Sequence, residues 1–347
     1  MNIDEIARKA GVSRATVSRV LNNHPSVKEK TRQTIRQIIE NMDYIPNAAA
    51  RSLASKRNDV IGILVYNITQ PFWAGIYAGI EQYISQNTSY GILLANSKSN
   101  IRLRSYTKDH KRYLKTLIQK GVDGLIIALE NDLQPDDIDF LVASGIPFVI
   151  IQSHSKDERI TSVNVDNYDG AYQATKYLLK QGHVNILHAA GPLDGSIARD
   201  RMEGFVKAMQ DEGIPLTESN VIPCGFMFED GYWCMKRLLS KSAEFTAILF
   251  ANDAAAFGGY LAATEAGIAI PDDLSIAGFD HLTNEMDLAG LLPDLTTMAQ
   301  PVSELGKIAA ELLYKKLSDT EYVQPVTYPM TLYKGRTVKE KSQQLSS

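Results

Sequence analysis

The chain has 347 residues, of which 44% are hydrophobic and 22% charged, and its formal net charge is −4. These values are ordinary for a globular protein of two or three folding units, and the two cysteines, Cys224 and Cys234, are too few for a disulfide framework or a metal-binding cysteine set. The sequence contains neither the long apolar run of a membrane span nor an N-terminal signal peptide, so we expect a cytoplasmic protein without a membrane partner.

The charge is divided unequally along the chain. Residues 1–58 contain eleven Lys or Arg and five Asp or Glu, which gives this segment a net charge of +6 and leaves −10 for the remainder. A basic segment on an acidic body is typical of proteins in which one region alone contacts a polyanion such as DNA.

The first 45 residues have the pattern of three short helices. Gly11 favours the end of a first helix, and Ser13 is suited to cap a second helix that runs to about Leu21. A third helix opens near Lys28–Glu29 and continues with apolar residues at helical spacing. Two helices joined by a short turn and followed by a third are typical of a helix-turn-helix DNA-binding domain.

The second helix has two chemically different faces. Val17, Val20 and Leu21 share an apolar face, which we expect to pack on the other two helices. The opposite face is then free to enter a major groove, where Arg14 and Arg19 can form bidentate hydrogen bonds with guanine. The residues predicted to contact bases or phosphates are Ser13, Arg14, Ala15, Thr16, Ser18 and Arg19.

Residues 46–58 form a connector with no apolar core of its own. The run Ala48–Ala54 has good helix propensity but is too short to be a stable helix alone in water. We therefore expect this segment to become ordered only against a partner.

From Val60 onward, short apolar runs alternate with amphipathic helices, which is the pattern of parallel sheets covered on both faces. The predicted strands are Val60–Tyr66, Tyr90–Ala95, Gly124–Leu129, Pro147–Ile151, Ser162–Val165, Asn185–Ala190, Ala247–Ala251 and Leu274–Phe279. Helices between them include Trp73–Gln86, Tyr172–Lys180, Ala254–Ala266 and Val302–Leu317. Eight strands are too many for one small sheet, so we expect two α/β lobes with a cleft between them.

Polar residues stand where several predicted strands end. Gln152 follows PFVII, Asn252 follows AILFA, and Asp280 follows LSIAGF. Arg201 comes shortly after the turn GPLDGS. Because ligands of parallel α/β folds bind beyond the carboxyl ends of the strands, these positions predict a binding site.

The segment around the second helix reads VSRATVSRVLN, and the segment that leads into the connector reads YIPNAAARSLA. Both motifs resemble the lac/gal repressor family of bacterial transcription regulators, and the resemblance continues to about Val338 through GILVYNITQPFW, GVDGLII, GPLDGSIARDRMEGF, AILFANDAAAFG, LSIAGFDH and LTTMAQP. It implies an all-α helix-turn-helix head at 1–45, a hinge at 46–58, an α/β two-lobe sensing domain of the periplasmic-binding-protein type at 59–338, and a polar tail at 339–347. The implied lobes are about 60–163 with 298–324, and 164–297 with 325–338.

The resemblance implies contacts with double-stranded DNA in both the head and the hinge. The matching contact positions are Arg14, Ala15 and Arg19 for bases and Tyr44 and Asn47 for the DNA backbone. Leu53 matches a residue that is inserted from the minor groove, which unstacks bases and bends the operator. Two hinge segments must lie side by side for this insertion, so we expect a homodimer on a roughly palindromic site. The C-terminal tail has no leucine heptad that would predict a tetramer.

The resemblance also implies an effector pocket between the lobes. Its residues would be Phe72, Trp73, Gln152, Arg201, Phe226, Asn252, Asp280 and Gln300. Arg201 and Asp280 would hold sugar hydroxyls, and Phe226 would cover an apolar face of the ring. Gln152 stands where many relatives carry an acidic residue, and Ile197 replaces a common polar contact, so the identity of the ligand stays open. A neutral or amino sugar is favoured over a phosphorylated one.

Other classes of protein fit the sequence less well. The motifs GxxxxGK[ST], HExxH and GxSxG are absent, so we expect neither an enzyme nor a cofactor or metal site. The six histidines show no ligand spacing and are expected on the surface or in loops. A periplasmic sugar carrier would share the two-lobe fold but would need a signal peptide and no DNA-binding head. A regulator of the same family that takes its main signal from a protein corepressor stays open. The resemblance favours repression, and activation is the alternative.

Overall fold

The computed structural model describes residues 3–21, 24–41, 57–97, 110–155, 157–241, 245–282, 292–318 and 324–340. At the N-terminus, three helices pack around a small apolar core: α1 Ile3–Ala10, α2 Arg14–Leu21 and α3 Glu29–Asn41. Ile6, Val17 and Ile35 are fully buried at its centre. Gly11 ends α1 with a φ of 64°, a left-handed conformation that glycine adopts without strain. The predicted helix-turn-helix is confirmed.

The remaining chain forms two six-stranded sheets. The strands are β1 Val60–Val65, β2 Gly91–Asn96, β3 Gly124–Ala128, β4 Phe148–Ile151, β5 Ser162–Val165, β6 Ile186–Ala190, β7 Val221–Pro223, β8 Ala247–Phe250, β9 Ser275–Asp280, β10 Thr296–Ala299, β11 Val326–Tyr328 and β12 Thr331–Tyr333. The first sheet has the order β11-β5-β4-β3-β1-β2, and the second has the order β12-β10-β9-β8-β6-β7. Neighbouring strands run parallel, except that β12 is antiparallel to β10.

Helices cover both sheets. They are α4 Pro71–Asn87, α5 His110–Gln119, α6 Pro135–Ser144, α7 Asn167–Lys180, α8 Ser196–Asp211, α9 Phe228–Leu239, α10 Asp253–Glu265 and α11 Val302–Ser318, with a 3-10 turn at Glu218–Asn220. Helices α4 and α11 approach closely because Gly79 and Gly306 lack Cβ atoms, which would collide with the backbone of the facing helix. Within the described residues, no helix is long and apolar enough to cross a membrane.

The two sheets define two lobes, and the chain passes between them at three places in the described residues. It leaves the first sheet after β5, returns after β10 to form α11, and leaves it again between β11 and β12. The boundaries predicted at 163/164, 297/298 and 324/325 are therefore a few residues early. The largest error concerns β11, which was assigned to the second lobe but pairs with β5 in the first sheet.

All eight predicted strands are present, each within one residue at either end. The four strands that were missed, β7, β10, β11 and β12, have three or four residues each and contain Pro, Thr or Tyr in place of a long aliphatic run. Their strand conformation depends on pairing with a neighbour, which a local pattern does not encode.

Candidate functional site

The exposed face of α2 presents the predicted DNA-contacting residues. Arg14, Ala15 and Arg19 are exposed, Ser13 is exposed at the N-terminal end of the helix, and the other two, Thr16 and Ser18, are partly exposed. The opposite face of the helix is buried in the head's core. The structure thus separates the two faces as the sequence predicted.

Ser13 has a structural role at the beginning of α2. Its Oγ accepts a hydrogen bond from the backbone N–H of Thr16 at 3.2 Å and lies 2.9 Å from the Thr16 hydroxyl. Arg14 makes a 3.9 Å ion pair with Asp4, and both side chains are more than half exposed. Such an exposed pair contributes little, so it does not hold Arg14 away from a ligand.

The hinge prediction concerns Tyr44, Asn47 and Leu53, which lie outside the described residues. The description resumes at Arg57, whose guanidinium donates a hydrogen bond to the carbonyl of Leu317 at 2.9 Å. The backbone N–H of Asn58 also bonds the carboxylate of Asp123, at 3.0 Å to Oδ1. The connector therefore enters the sensing domain through direct bonds with the first lobe.

A cleft opens between the two lobes, with an empty volume of about 580 Å³ that includes the solvent at its mouth. Seven of the eight predicted effector residues line it: Phe72, Trp73, Gln152, Arg201, Phe226, Asn252 and Asp280. Gln300 does not line the cavity, because it is buried behind Asp280, to whose Oδ1 its Nε2 donates at 2.5 Å. Gln70 and Leu282 also line the cavity, and the sequence prediction missed both.

Two of the lining residues stand in an unusual backbone conformation. Gln152 follows β4 with a φ of 61°, and Asp280 ends β9 with a φ of 112°. Residues with a Cβ rarely adopt such angles, and this kind of backbone strain concentrates at binding sites. The strain supports the assignment of this strand edge as a ligand site.

Arg201 is fixed from several sides at the floor of the cavity. Its Nε donates to the Asn167 side-chain oxygen at 2.9 Å, its Nη1 donates to the Ala251 carbonyl, and its guanidinium lies 4.4 Å from the centre of the Phe279 ring. Its Nη2 is 3.8 Å from the Asp280 carboxylate, which is too long for a direct hydrogen bond. The guanidinium is therefore preorganised, with one amino group turned toward Asp280.

Asn167 connects the two lobes through this network. It begins α7, and its Nδ2 donates to the Gln152 side-chain oxygen at 3.3 Å while its Oδ1 accepts from Arg201. Gln152 Nε2 in turn donates to Gln300 at 3.4 Å. Asn167 was not predicted from the sequence, although it stands just beyond a strand end like the residues that were identified.

Burial changes the acidity of the carboxylates in this network. Burial raises the pKa of Asp280 to about 7, although Arg201 and the Gln300 hydrogen bond act in the opposite direction. Burial, and then the nearby Asp280, raise the pKa of Asp253 well above its usual range. Asp253 accepts hydrogen bonds from the Thr297 hydroxyl at 2.7 Å and the Leu282 N–H at 2.9 Å. The cavity floor thus contains a carboxylate that changes its charge near neutral pH.

Aromatic rings form the apolar part of the cavity. Phe72 and Trp73 pack edge to face with ring centres 5.1 Å apart. Asn252 holds the backbone of Phe226 through a 2.9 Å hydrogen bond to its carbonyl, while the Asn252 side-chain oxygen caps α10 by accepting from Ala255 N–H at 3.0 Å. Asn252 was predicted as a ligand amide, but the structure also gives it this supporting role.

Comparison with known proteins gives matches over almost the whole chain. Residues 58–336 match the family described as periplasmic binding proteins and sugar binding domain of the LacI family, and residues 2–47 match bacterial regulatory proteins of the lacI family. The ribose operon repressor of Haemophilus influenzae is 34% identical over 316 residues, which is 91% of each chain.

Solved structures are similar in fold. The lac repressor dimer bound to operator and the anti-inducer ONPF has a TM-score of 0.85 at 27% identity, covering 98% of this chain and 99% of that chain. A LacI family transcriptional regulator from Enterococcus faecium with bound ribose has a TM-score of 0.70 at 30% identity, covering 82% of this chain and 100% of that chain.

Proposed function

Because the chain belongs to the lacI family of bacterial regulatory proteins and is a DNA-binding transcriptional repressor with a sugar-binding domain, we propose that a small neutral sugar or amino sugar in the cleft controls its affinity for operator DNA. The observation that carries this proposal is the inter-lobe cavity, where Arg201 and Asp280 face the same space as the aromatic rings of Phe72 and Phe226. The cavity combines strong hydrogen-bonding groups with an apolar face, as a sugar ring requires.

The charges in the cavity favour a neutral or singly charged ligand. Within the part of the chain that the structure describes, Arg201 is the only positively charged side chain that lines the cavity, and it already faces Asp280. A phosphorylated sugar would add two negative charges without a second cation to compensate them. A guanidinium that donates and a carboxylate that accepts are suited to a pair of adjacent hydroxyl groups. The ribose bound to the Enterococcus faecium regulator makes D-ribose the first sugar to test.

The exposed face of α2 would read the operator. Arg14, Ala15 and Arg19 would contact bases, while the hydroxyls of Ser13, Thr16 and Ser18 would bind phosphates and fix the register. The net charge of +6 on residues 1–58 supports this assignment. The operator-bound lac repressor dimer supports a homodimer on a roughly palindromic double-stranded site.

The hinge would carry the signal between the two sites. Tyr44 and Asn47 would contact the DNA backbone, and Leu53 would be inserted at the centre of the operator. Closure of the lobes around a ligand would shift the first lobes of the dimer and so change the spacing of the two hinges. A ligand can drive this change only through different affinities for the two lobe arrangements.

A sugar screen on an operator selected from random double-stranded DNA tests this function. Fluorescence anisotropy would report the operator affinity of the full chain with and without D-ribose, neutral hexoses and amino sugars. At least one sugar should change the affinity by about 5- to 150-fold, the usual range of allosteric coupling. If no sugar changes the affinity, the proposed effector class is wrong and the corepressor alternative replaces it.

A further inference from the structure

A histidine lies between two carboxylates where the two lobes meet. The ring Nε2 of His154 is 2.5 Å from Asp200 Oδ2, and its backbone N–H donates to Asp132 Oδ1 at 2.9 Å. The ring Nδ1 lies 3.8 Å from the same Asp132 oxygen. The three side chains are only partly exposed, with values of 25% to 34%.

These three residues come from both lobes. Asp132 follows β3 and His154 follows β4, so both belong to the first lobe. Asp200 lies on α8, which packs on α7 in the second lobe. The contact between His154 and Asp200 therefore joins the two lobes.

The charges at this contact favour the protonated imidazole. The nearby Asp132 carboxylate and the hydrogen-bonded Asp200 carboxylate raise the pKa of His154 to about 9 against the effect of burial. Burial acts to raise the pKa of Asp132, but the imidazole and backbone N–H of His154 and the neighbouring Ser196 outweigh it, and the pKa is lowered. At neutral pH a cation thus lies between two anions, one from each lobe.

We propose that Asp132, His154 and Asp200 form a charged clasp that holds the two lobes together, and that His154 is a positioning residue for the effector site. Two residues of the clasp are sequence neighbours of residues that line the cavity. His154 follows Gln152 by two residues, and Asp200 directly precedes Arg201. Bringing His154 to Asp200 therefore also brings Gln152 toward Arg201. The part of this inference that concerns the ligand rests on the proposed function, whereas the contact between the lobes does not.

The clasp gives lobe closure a defined dependence on pH. In an open arrangement His154 loses Asp200, so its pKa returns toward the ordinary value of about 6.5. A histidine whose pKa is higher in the closed state than in the open state stabilises the closed state. This stabilisation is complete at a pH below the pKa of the open state, and it disappears as the pH rises through about 9. Closure should therefore weaken between about pH 6.5 and 9.

The direct test is the titration of His154 by NMR in the full chain without sugar or DNA. The chain has six histidines, so loss of one signal in His154→Gln assigns it. We expect a midpoint near pH 9 that falls by about one unit or more in Asp200→Asn. Asp200→Glu should retain most of the shift. Asp211→Asn is the matched control, because Asp211 is on the same helix but pairs with Lys207 within the second lobe.

A second readout separates a clasp from a merely structural contact. The affinity for D-ribose, or for the sugar found in the screen, is measured from pH 7 to 10 in the wild type and in Asp200→Asn. Asp280 titrates in both proteins, so the ratio of the wild-type affinity to the variant affinity reports the contribution of the clasp alone. This ratio should fall toward one as the pH rises. A His154 midpoint near 6.5, or one that Asp200→Asn leaves unchanged, overturns the clasp even if sugars control DNA binding. If the His154 midpoint is raised but no sugar changes the operator affinity, the clasp is supported and the proposed function is wrong.

Discussion

Two arginines, Arg14 on α2 and Arg201 on α8, are assigned to ligand recognition in opposite environments. The side chain of Arg14 is 70% exposed and has one weak ion pair, whereas that of Arg201 is 3% exposed and is held by Asn167 and Ala251. The proposed DNA-reading face has exposed and weakly held side chains that DNA would order, while the cleft is organised before any ligand arrives. We therefore expect mutations in the head to change recognition alone, and mutations at the cavity floor to change stability as well.

The largest expected difference between the two sites is their response to salt. Operator affinity should fall steeply, by about 10³- to 10⁵-fold between roughly 50 and 200 mM salt for six to ten phosphate contacts. Affinity for a neutral sugar should change little, because its binding releases no counterions. Titrations of both ligands over the same salt range measure this, and a flat salt dependence of operator binding would contradict a basic head that neutralises phosphates.

Removing each arginine tests the difference in preorganisation. Arg201→Ala should lower the free energy of unfolding of the sensing domain by about 3–5 kcal/mol, because it leaves Asp280 buried without its cation and leaves the Asn167 side-chain oxygen and the Ala251 carbonyl without their donor. Arg14→Ala should change stability by less than about 0.5 kcal/mol, since its side chain is exposed. Urea unfolding of both variants measures these values. Equal small losses would show that the cavity floor is not held as tightly as its contacts indicate.

Arg14→Ala should instead change DNA recognition. We expect it to relax the preference at one base pair in each half-site, at a cost of about 1–3 kcal/mol per contact. Binding to a set of operators that differ at single positions measures the effect. A uniform loss of affinity across all operators would mean that Arg14 contacts only phosphate.

A further expected effect is the pH dependence of the cavity floor. The pKa of Asp280 is raised from 3.8 to about 7, so the folded state holds its proton more tightly than the unfolded state between these values. Its contribution to stability is complete below about pH 4 and is lost as the pH rises through about 7. Melting temperatures of wild type and Asp280→Asn from pH 4 to 8 measure this loss. The melting temperature of the wild type should fall relative to that of Asp280→Asn across that window. Parallel curves of melting temperature against pH would contradict the raised pKa.

The sequence predicts the interior of the fold well and the contacts between distant elements poorly. The eight predicted strands are continuous apolar runs, such as Gly124–Ala128, which is entirely buried in the first sheet. Short strands such as Val326–Tyr328 exist only because a partner strand is present. Both faces of α2 were predictable because helical periodicity alone separates them.

Site residues were likewise predictable where a local pattern marks them and not where contacts between distant elements define them. The positions of Gln152 and Asp280 could be predicted because they end apolar strands, whereas the role of Asn167 depends on two side chains that pairing brings to it. The histidines were expected on the surface or in loops, and this is wrong for His110, which is buried in α5, and for His188. That residue lies in β6, is completely buried and stacks on Phe205 at 5.3 Å, and burial lowers its pKa to about 4. No local pattern encodes such an environment.

The most direct test of the coupling between cleft and operator is the operator affinity of Asp280→Ala, measured with and without the sugar identified in the screen. Asp194→Ala is the control, because Asp194 is exposed in the same lobe and does not line the cavity. Asp280→Asn, which keeps the shape of the side chain, serves if Asp280→Ala is unstable. We predict that the Asp280 variant binds the operator normally without sugar and no longer responds to it, while Asp194→Ala responds fully. A full sugar response in the Asp280 variant would contradict the account.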